Sequence, residues 1–339
     1  MYSFKNDYNT IAAPKVLEAI IKYNNEQNIG YGEDYHTSNV KDILRKKTGK
    51  NVDTYLLAGG TLTNVIGLCQ MMKLPYEAVM SCETGHINVH ETGAIEAAGH
   101  KIITMKGENG KAIPSEVLET YAKFTDHHMV LPKVLYISNS TEIGTVYTKE
   151  ELKALKNVCD KLNMYLFLDG ARLGIALTSE DNDLTLKDIA KYTDMFYIGG
   201  TKNGSPMGEC LVIVNNDLKE NFKYLIKNKL GMLAKGFFTG ICFETLITDD
   251  YYLTLAMHAN NCAKKLREAL NDYIYYPNKT NQVFVKIKKS LSKELSKKYW
   301  FESWESLNDE EEVIRFVTSY STNMNMVDSL ISDFKNLTK

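Results

Sequence analysis

The sequence predicts an α/β protein with a mostly parallel, seven-stranded sheet flanked by helices, followed by a small α+β unit. Three observations carry this reading. Short, unbroken apolar runs alternate with segments of helical spacing, the pattern of parallel strands buried on both faces. The texture changes after residue 236 to longer helical segments with isolated strands. Glycines and chemically active side chains stand directly after several apolar runs, where doubly wound sheets place their ligands.

The seven runs are 54–57, 78–81, 101–104, 134–138, 165–169, 195–198 and 211–214, all rich in β-branched, aromatic or aliphatic residues. Between the fourth and fifth, residues 149–163 read as a helix. Leu152, Leu155, Val158 and Leu162 form its apolar stripe, and Thr148 with Glu151 resembles a capping box. Beyond residue 236, 251–272 reads as a long helix, and 282–287 and 313–319 read as strands. The lysine- and serine-rich stretch 288–298 reads as a solvated amphipathic helix. The expected division is a large unit over 1–238, N-terminal segment included, and a small C-terminal unit over 239–339.

Composition narrows the function classes. Among 339 residues, 40 are basic and 42 acidic, giving a formal net charge of -2, so no global field recruits nucleic acid or anionic lipid. The six cysteines are scattered without a C-x-x-C pair, which fits reduced thiols in a cytoplasmic protein. No apolar run reaches the roughly 18 residues of a membrane span, and the N-terminus has no signal-like pattern. The expected partner is a small molecule.

After the first run comes Ala58-Gly59-Gly60-Thr61-Leu62-Thr63-Asn64 and then an apolar helix, a turn suited to an anion such as phosphate. It lacks the glycine spacing of dinucleotide or nucleoside triphosphate loops. After the second run, His86 can lie over a planar ring. A rival reading puts Cys82, His86 and His90 on one helical face as zinc ligands, although no fourth ligand is apparent. Asp169 ends the fifth run, where burial demands a compensating cation: a protonated pyridine nitrogen or the nearby Arg172. Lys202, after the sixth run and among glycines, suits an imine-forming nucleophile. An acid for a ring nitrogen and a lysine, one strand-helix-strand unit apart, are what pyridoxal phosphate chemistry requires.

With these motifs in this order, the chain resembles the threonine aldolase and β-eliminating lyase family of fold type I pyridoxal-phosphate enzymes. The match runs from Asn6-Asp7-Tyr8 through Tyr31-Gly32-Glu33-Asp34, Gly60-Thr61 with Asn64, His86 with Glu91, Asp169-Gly170-Ala171-Arg172 and Thr201-Lys202 to Ile314-Arg315-Phe316-Val317-Thr318. The resemblance implies pyridoxal 5'-phosphate as cofactor, bonded to Lys202, with Asp169 at its ring nitrogen and His86 stacked on the ring. Gly60 and Thr61 would hold the phosphate, Thr201 would contact the cofactor beside Lys202, and Arg172 and Arg315 would hold the substrate carboxylate, with Arg172 also close to the cofactor. It further implies a homodimer or homotetramer with shared sites, in which Tyr31, Lys229 and Lys235 reach into a neighbour.

The implied reaction is cleavage of the Cα–Cβ bond of a β-hydroxy amino acid, L-threonine or L-allo-threonine, to glycine and an aldehyde. β-Elimination or other Cα chemistry is the alternative, and a non-catalytic cofactor binder a more distant one. The chain departs from the family at Ser138-Asn139-Ser140-Thr141-Glu142-Ile143-Gly144-Thr145-Val146, where Thr141 or Glu142 replaces a histidine that would contact the β-hydroxyl. Asn6 stands where a carboxylate-binding serine is usual, and lysines stand at 229 and 235 where arginine is usual.

Overall fold

The computed structural model describes residues 1–338. The chain opens on a two-residue strand, β1 (Tyr2–Ser3), and then builds the large sheet from β2 (Asp53–Leu57), β3 (Glu77–Cys82), β4 (Lys101–Met105), β5 (Leu131–Ser138), β6 (Tyr165–Asp169), β7 (Met195–Gly199) and β8 (Glu209–Ile213). The strand order is β2-β8-β7-β6-β5-β3-β4. Only β8 runs against the rest, antiparallel to both β2 and β7. Every residue of β3, β7 and β8 is buried, as expected where helices cover both sheet faces. The helix Lys149–Lys161 begins with the expected capping box at Thr148 and Glu151 and buries Leu152, Leu155 and Val158.

The small unit contains a three-stranded antiparallel sheet. Its strands are β9 (Gln282–Lys288), β11 (Glu302–Ser306) and β12 (Glu311–Val317), in the order β11-β12-β9, while β10 (Tyr299–Trp300) pairs in parallel with β1. The stretch after β9 forms a short helix, Lys289–Leu295, followed later by the terminal helix Met324–Leu337.

Core membership differs from the expected division at two places. The N-terminal segment joins the small unit: Phe4 is fully buried with Phe316 and Tyr299, and its carbonyl accepts the Val317 N–H at 2.8 Å. The helix Tyr251–Ala269 serves both cores, with Tyr252 and Leu255 in the large one and Cys262, Ala263 and Leu266 in the small one. A sequence boundary marks where texture changes, whereas a long helix can supply packing on both sides of it. Docking the N-terminus this way carries Asn6, Asp7 and Tyr8 to the carboxyl ends of the large-sheet strands.

Candidate active site

Two adjoining cavities of about 370 Å³ and 710 Å³ share Tyr8, His86, Glu142, Arg172 and Lys202 in their walls. The inner one also meets Gly60, Thr61, Asp169, Thr201 and Glu209. The outer one reaches Asn6, His90, Trp304 and Arg315. The site therefore lies where the strand ends of the large sheet face the small sheet.

Gly60 begins the helix Gly60–Met71, so the N–H groups of its first turn have no intrahelical acceptor, and Gly59, Gly60 and Thr61 line the inner cavity. Two other glycines are fixed by crowding between the loops after β6 and β7. A Cβ on Gly170 would stand 1.8 Å from the Tyr197 carbonyl oxygen, and one on Gly199 would stand 2.2 Å from that of Ala171. This close approach sets the Asp169 and Lys202 loops side by side.

Asp169 is buried at the end of β6 and is surrounded by donors. Its Oδ1 accepts the Tyr197 hydroxyl at 2.5 Å and the Ala171 N–H at 2.9 Å, and its Oδ2 accepts the Tyr136 hydroxyl at 2.5 Å and Asn64 Nδ2 at 3.1 Å. The two tyrosines come from β7 and β5, on either side of β6. Burial alone would raise the carboxyl, but His86, the two hydroxyls and the Ala171 amide together hold it below the usual carboxylate range. Asp169 thus remains an anion at neutral pH.

His86 is tied to this group. Its Nδ1 lies 2.7 Å from Glu91 Oε1, which also accepts Asn64 Nδ2 at 2.7 Å, linking His86, Glu91, Asn64 and Asp169 in one chain. Glu91 is buried, and its other oxygen has no partner. Cys82 ends β3 and His86 opens the next short helix, Gly85 intervening as its cap, so the three zinc candidates share no helical face.

Lys202 has its amine pushed below its ordinary range by burial and by the Arg172 charge, against the opposing pull of Asp7, Asp169 and Glu209. Arg172 pairs with Asp7 and not with Asp169. Arg315 is packed over the Trp304 ring at 4.6 Å, donates to Gln282 Oε1 at 3.0 Å and leaves its buried Nε without a partner. Burial and then the neighbouring Arg172 charge push it down to about 10, still cationic at neutral pH.

Four expected site residues do not line these two cavities; three of them, Tyr31, Lys229 and Lys235, are the ones expected to reach a neighbour's site. Thr141 is fully buried and its hydroxyl pairs with Thr145 Oγ1 at 2.7 Å, so Glu142, not Thr141, borders the cavities. Tyr31 lines a separate cleft with Lys223 and Gly236. Lys229 follows the helix Phe222–Asn228, and Lys235 is exposed. Sequence reasoning missed Asp7, Tyr136, Tyr197 and Glu209 as site groups. The one available signal is a polar atom within an otherwise apolar run, as at Tyr136 and Tyr197.

Residues 4–290 match the Beta-eliminating lyase family model. The chain is 30% identical to the low specificity L-threonine aldolase of Pseudomonas aeruginosa, over 98% of this chain and 96% of that protein. The chain belongs to the β-eliminating lyase family.

Within that family, the structure matches the threonine aldolase of Leishmania major with a TM-score of 0.98 and 39% identity, covering 100% of both chains. A Thermus thermophilus aspartate aminotransferase shares the fold at a TM-score of 0.71 with 13% identity, covering 99% of this chain and 91% of that one. The architecture is that of fold type I pyridoxal-phosphate enzymes, and this family member is a pyridoxal-phosphate-dependent lyase. The groups present fit the cofactor chemically. A depressed amine, a buried carboxylate kept anionic and a helix N-terminus for a phosphate all face one cavity. No helix among the described residues is long and apolar enough to cross a membrane.

Proposed function

We propose that this lyase cleaves the Cα–Cβ bond of a β-hydroxy amino acid of the L-threonine or L-allo-threonine type, releasing glycine and an aldehyde. The observation that carries the reading is the facing of two guanidinium groups, Arg172 and Arg315, with the Lys202 amine across the joined cavities. Pyridoxal phosphate, when bound, supplies an electron sink for the pair released at Cα.

In this reading Lys202 would bond the cofactor aldehyde, Asp169 would answer the charge on its ring nitrogen, and His86, oriented by Glu91, would lie against the ring. Gly60 and Thr61 would hold the phosphate through first-turn amides and a hydroxyl, and Thr201 would contact the cofactor beside Lys202. Arg315, stacked on Trp304, offers its free N–H groups to the substrate carboxylate, with Arg172 beside it and Asn6 at the rim. Fixing the carboxylate would set which Cα bond is oriented for cleavage, and hence which bond breaks.

The same reading includes a cytoplasmic homo-oligomer with shared sites. Ile29, Tyr31, Tyr35, Tyr224 and Leu230 are each more than half exposed, apolar surface that a second copy would cover. Tyr31, Lys229 and Lys235 are the residues proposed to reach that copy's site.

The test is to load the purified protein with pyridoxal phosphate and assay glycine and acetaldehyde from L-threonine and L-allo-threonine. Equimolar glycine and aldehyde is the expected result. Pyruvate and ammonia from cysteine-like substrates, with no aldehyde from either threonine, would replace this reading with β-elimination.

A further inference from the structure

Glu142 is anchored on one side only. Its Oε1 accepts both the His86 backbone N–H at 2.9 Å and the Ser138 hydroxyl at 2.7 Å. Both donors take the same oxygen, which leaves Oε2 to the cavities that Glu142 borders together with Lys202 and Arg172. A carboxylate held through one oxygen, with the other offered to a ligand space between a lysine and an arginine, has the geometry of a positioned proton acceptor. Burial also raises the Glu142 carboxyl above its ordinary value, against the Ser138 hydrogen bond, which makes its anion a stronger base.

We infer that Glu142 Oε2 accepts the β-hydroxyl hydrogen of the substrate and removes it as the Cα–Cβ bond breaks. This rests on the retro-aldol reading above and names its base. The O–H electron pair becomes the second bond of the aldehyde carbonyl, and the Cα–Cβ pair stays with Cα. Glu142 returns that proton to water, and Cα takes one proton from water to give glycine, so the cycle closes without a co-reactant.

Glu142→Gln separates this role from a structural one, because the amide oxygen can still accept from His86 and Ser138 while the nitrogen cannot act as a base. With the loaded enzyme, cleavage of L-threonine is expected to fall by at least about 100-fold. Exchange of the glycine Cα hydrogen in deuterium oxide, which involves no β-hydroxyl, is expected to fall by less than about 5-fold, well short of a general-base loss. Glu142→Asp, which keeps a carboxylate, is expected to cleave about 10-fold faster than the glutamine variant. Near wild-type cleavage by Glu142→Gln would overturn the assignment. Parallel loss of cleavage and exchange would also overturn it and leave Glu142 as a support for His86. If the wild-type enzyme exchanges glycine yet cleaves no β-hydroxy amino acid, the retro-aldol reading fails first and this inference falls with it.

Discussion

Asp7 grips one edge of Arg172 through both oxygens, with Oδ2 accepting Nε at 2.7 Å and Oδ1 accepting Nη2 at 3.1 Å. Asp7 is wholly buried and also takes Asn281 Nδ2 at 2.9 Å, so the N-terminal segment, the large-sheet loop and the small unit meet at one carboxylate. The pairing leaves Nη1 as the free edge of Arg172.

Removing one member of a buried pair strands the other, so Asp7→Asn is expected to lower unfolding stability by about 3–5 kcal/mol. Burial raises the Asp7 carboxyl, but Arg172, Lys202 and the hydrogen bonds from Arg172 and Asn281 leave it below its ordinary 3.8. A depressed acid contributes stability fully above its unfolded value and loses it as pH falls through the folded one. The difference between wild type and Asp7→Asn in urea denaturation should therefore be complete near neutral pH and shrink below pH 3.8.

Lys202→Ala is expected to abolish covalent attachment of the cofactor while leaving room for it to bind. Borohydride reduction followed by peptide mass analysis should label Lys202 in the wild type and no lysine in the variant. A stable adduct at another residue would move the nucleophile there. Burial and the Arg172 charge lower the Lys202 amine, so a larger neutral fraction is available near pH 7 than for a surface lysine.

The strands were legible because a parallel sheet covered on both faces must be apolar throughout, and each strand end then indicated where Gly60, His86, Asp169 and Lys202 would gather. Pairing across distance was not legible. Nothing near Asp7 or Arg172 in sequence shows that they meet, and the Asp169–Arg172 alternative looked equally local. Adjacent candidates such as Thr141 and Glu142 differ only in which way the backbone aims them. Strand β11 escaped because it is a largely solvent-facing edge strand, with the polar pattern Glu302-Ser303-Trp304-Glu305-Ser306. Glu209 lay just ahead of the apolar run assigned to β8, although it is buried in that strand and accepts the Gly200 N–H at 2.8 Å.

Arg315→Lys tests the carboxylate clamp. A lysine keeps the charge but loses the planar fork and its stacking on Trp304, so the Michaelis constant for amino acids should rise by roughly 10- to 50-fold with a smaller change in turnover. Steady-state kinetics with L-threonine and a binding titration with glycine should move together, because both ligands carry the same carboxylate. An unchanged constant for both would transfer the clamp to the free edge of Arg172.

Asp169→Asn tests the electrostatic role directly. All four partners of Asp169 donate hydrogen bonds, so an asparagine must turn its NH2 group toward two donors whichever way it flips. Part of the effect is therefore structural, with an expected stability loss of about 1–3 kcal/mol. The larger part should be catalytic. Without a fixed anion at the ring nitrogen, turnover should fall by about 100- to 1,000-fold, comparable to the loss of one preorganised charge contact in other active sites. Tyr136→Phe and Tyr197→Phe provide the comparison, since each removes one hydroxyl but retains the carboxylate. If their turnover fell as far as that of Asp169→Asn, hydrogen-bond geometry would explain the effect. If they retained most of it, the negative charge of Asp169 would be the decisive quantity.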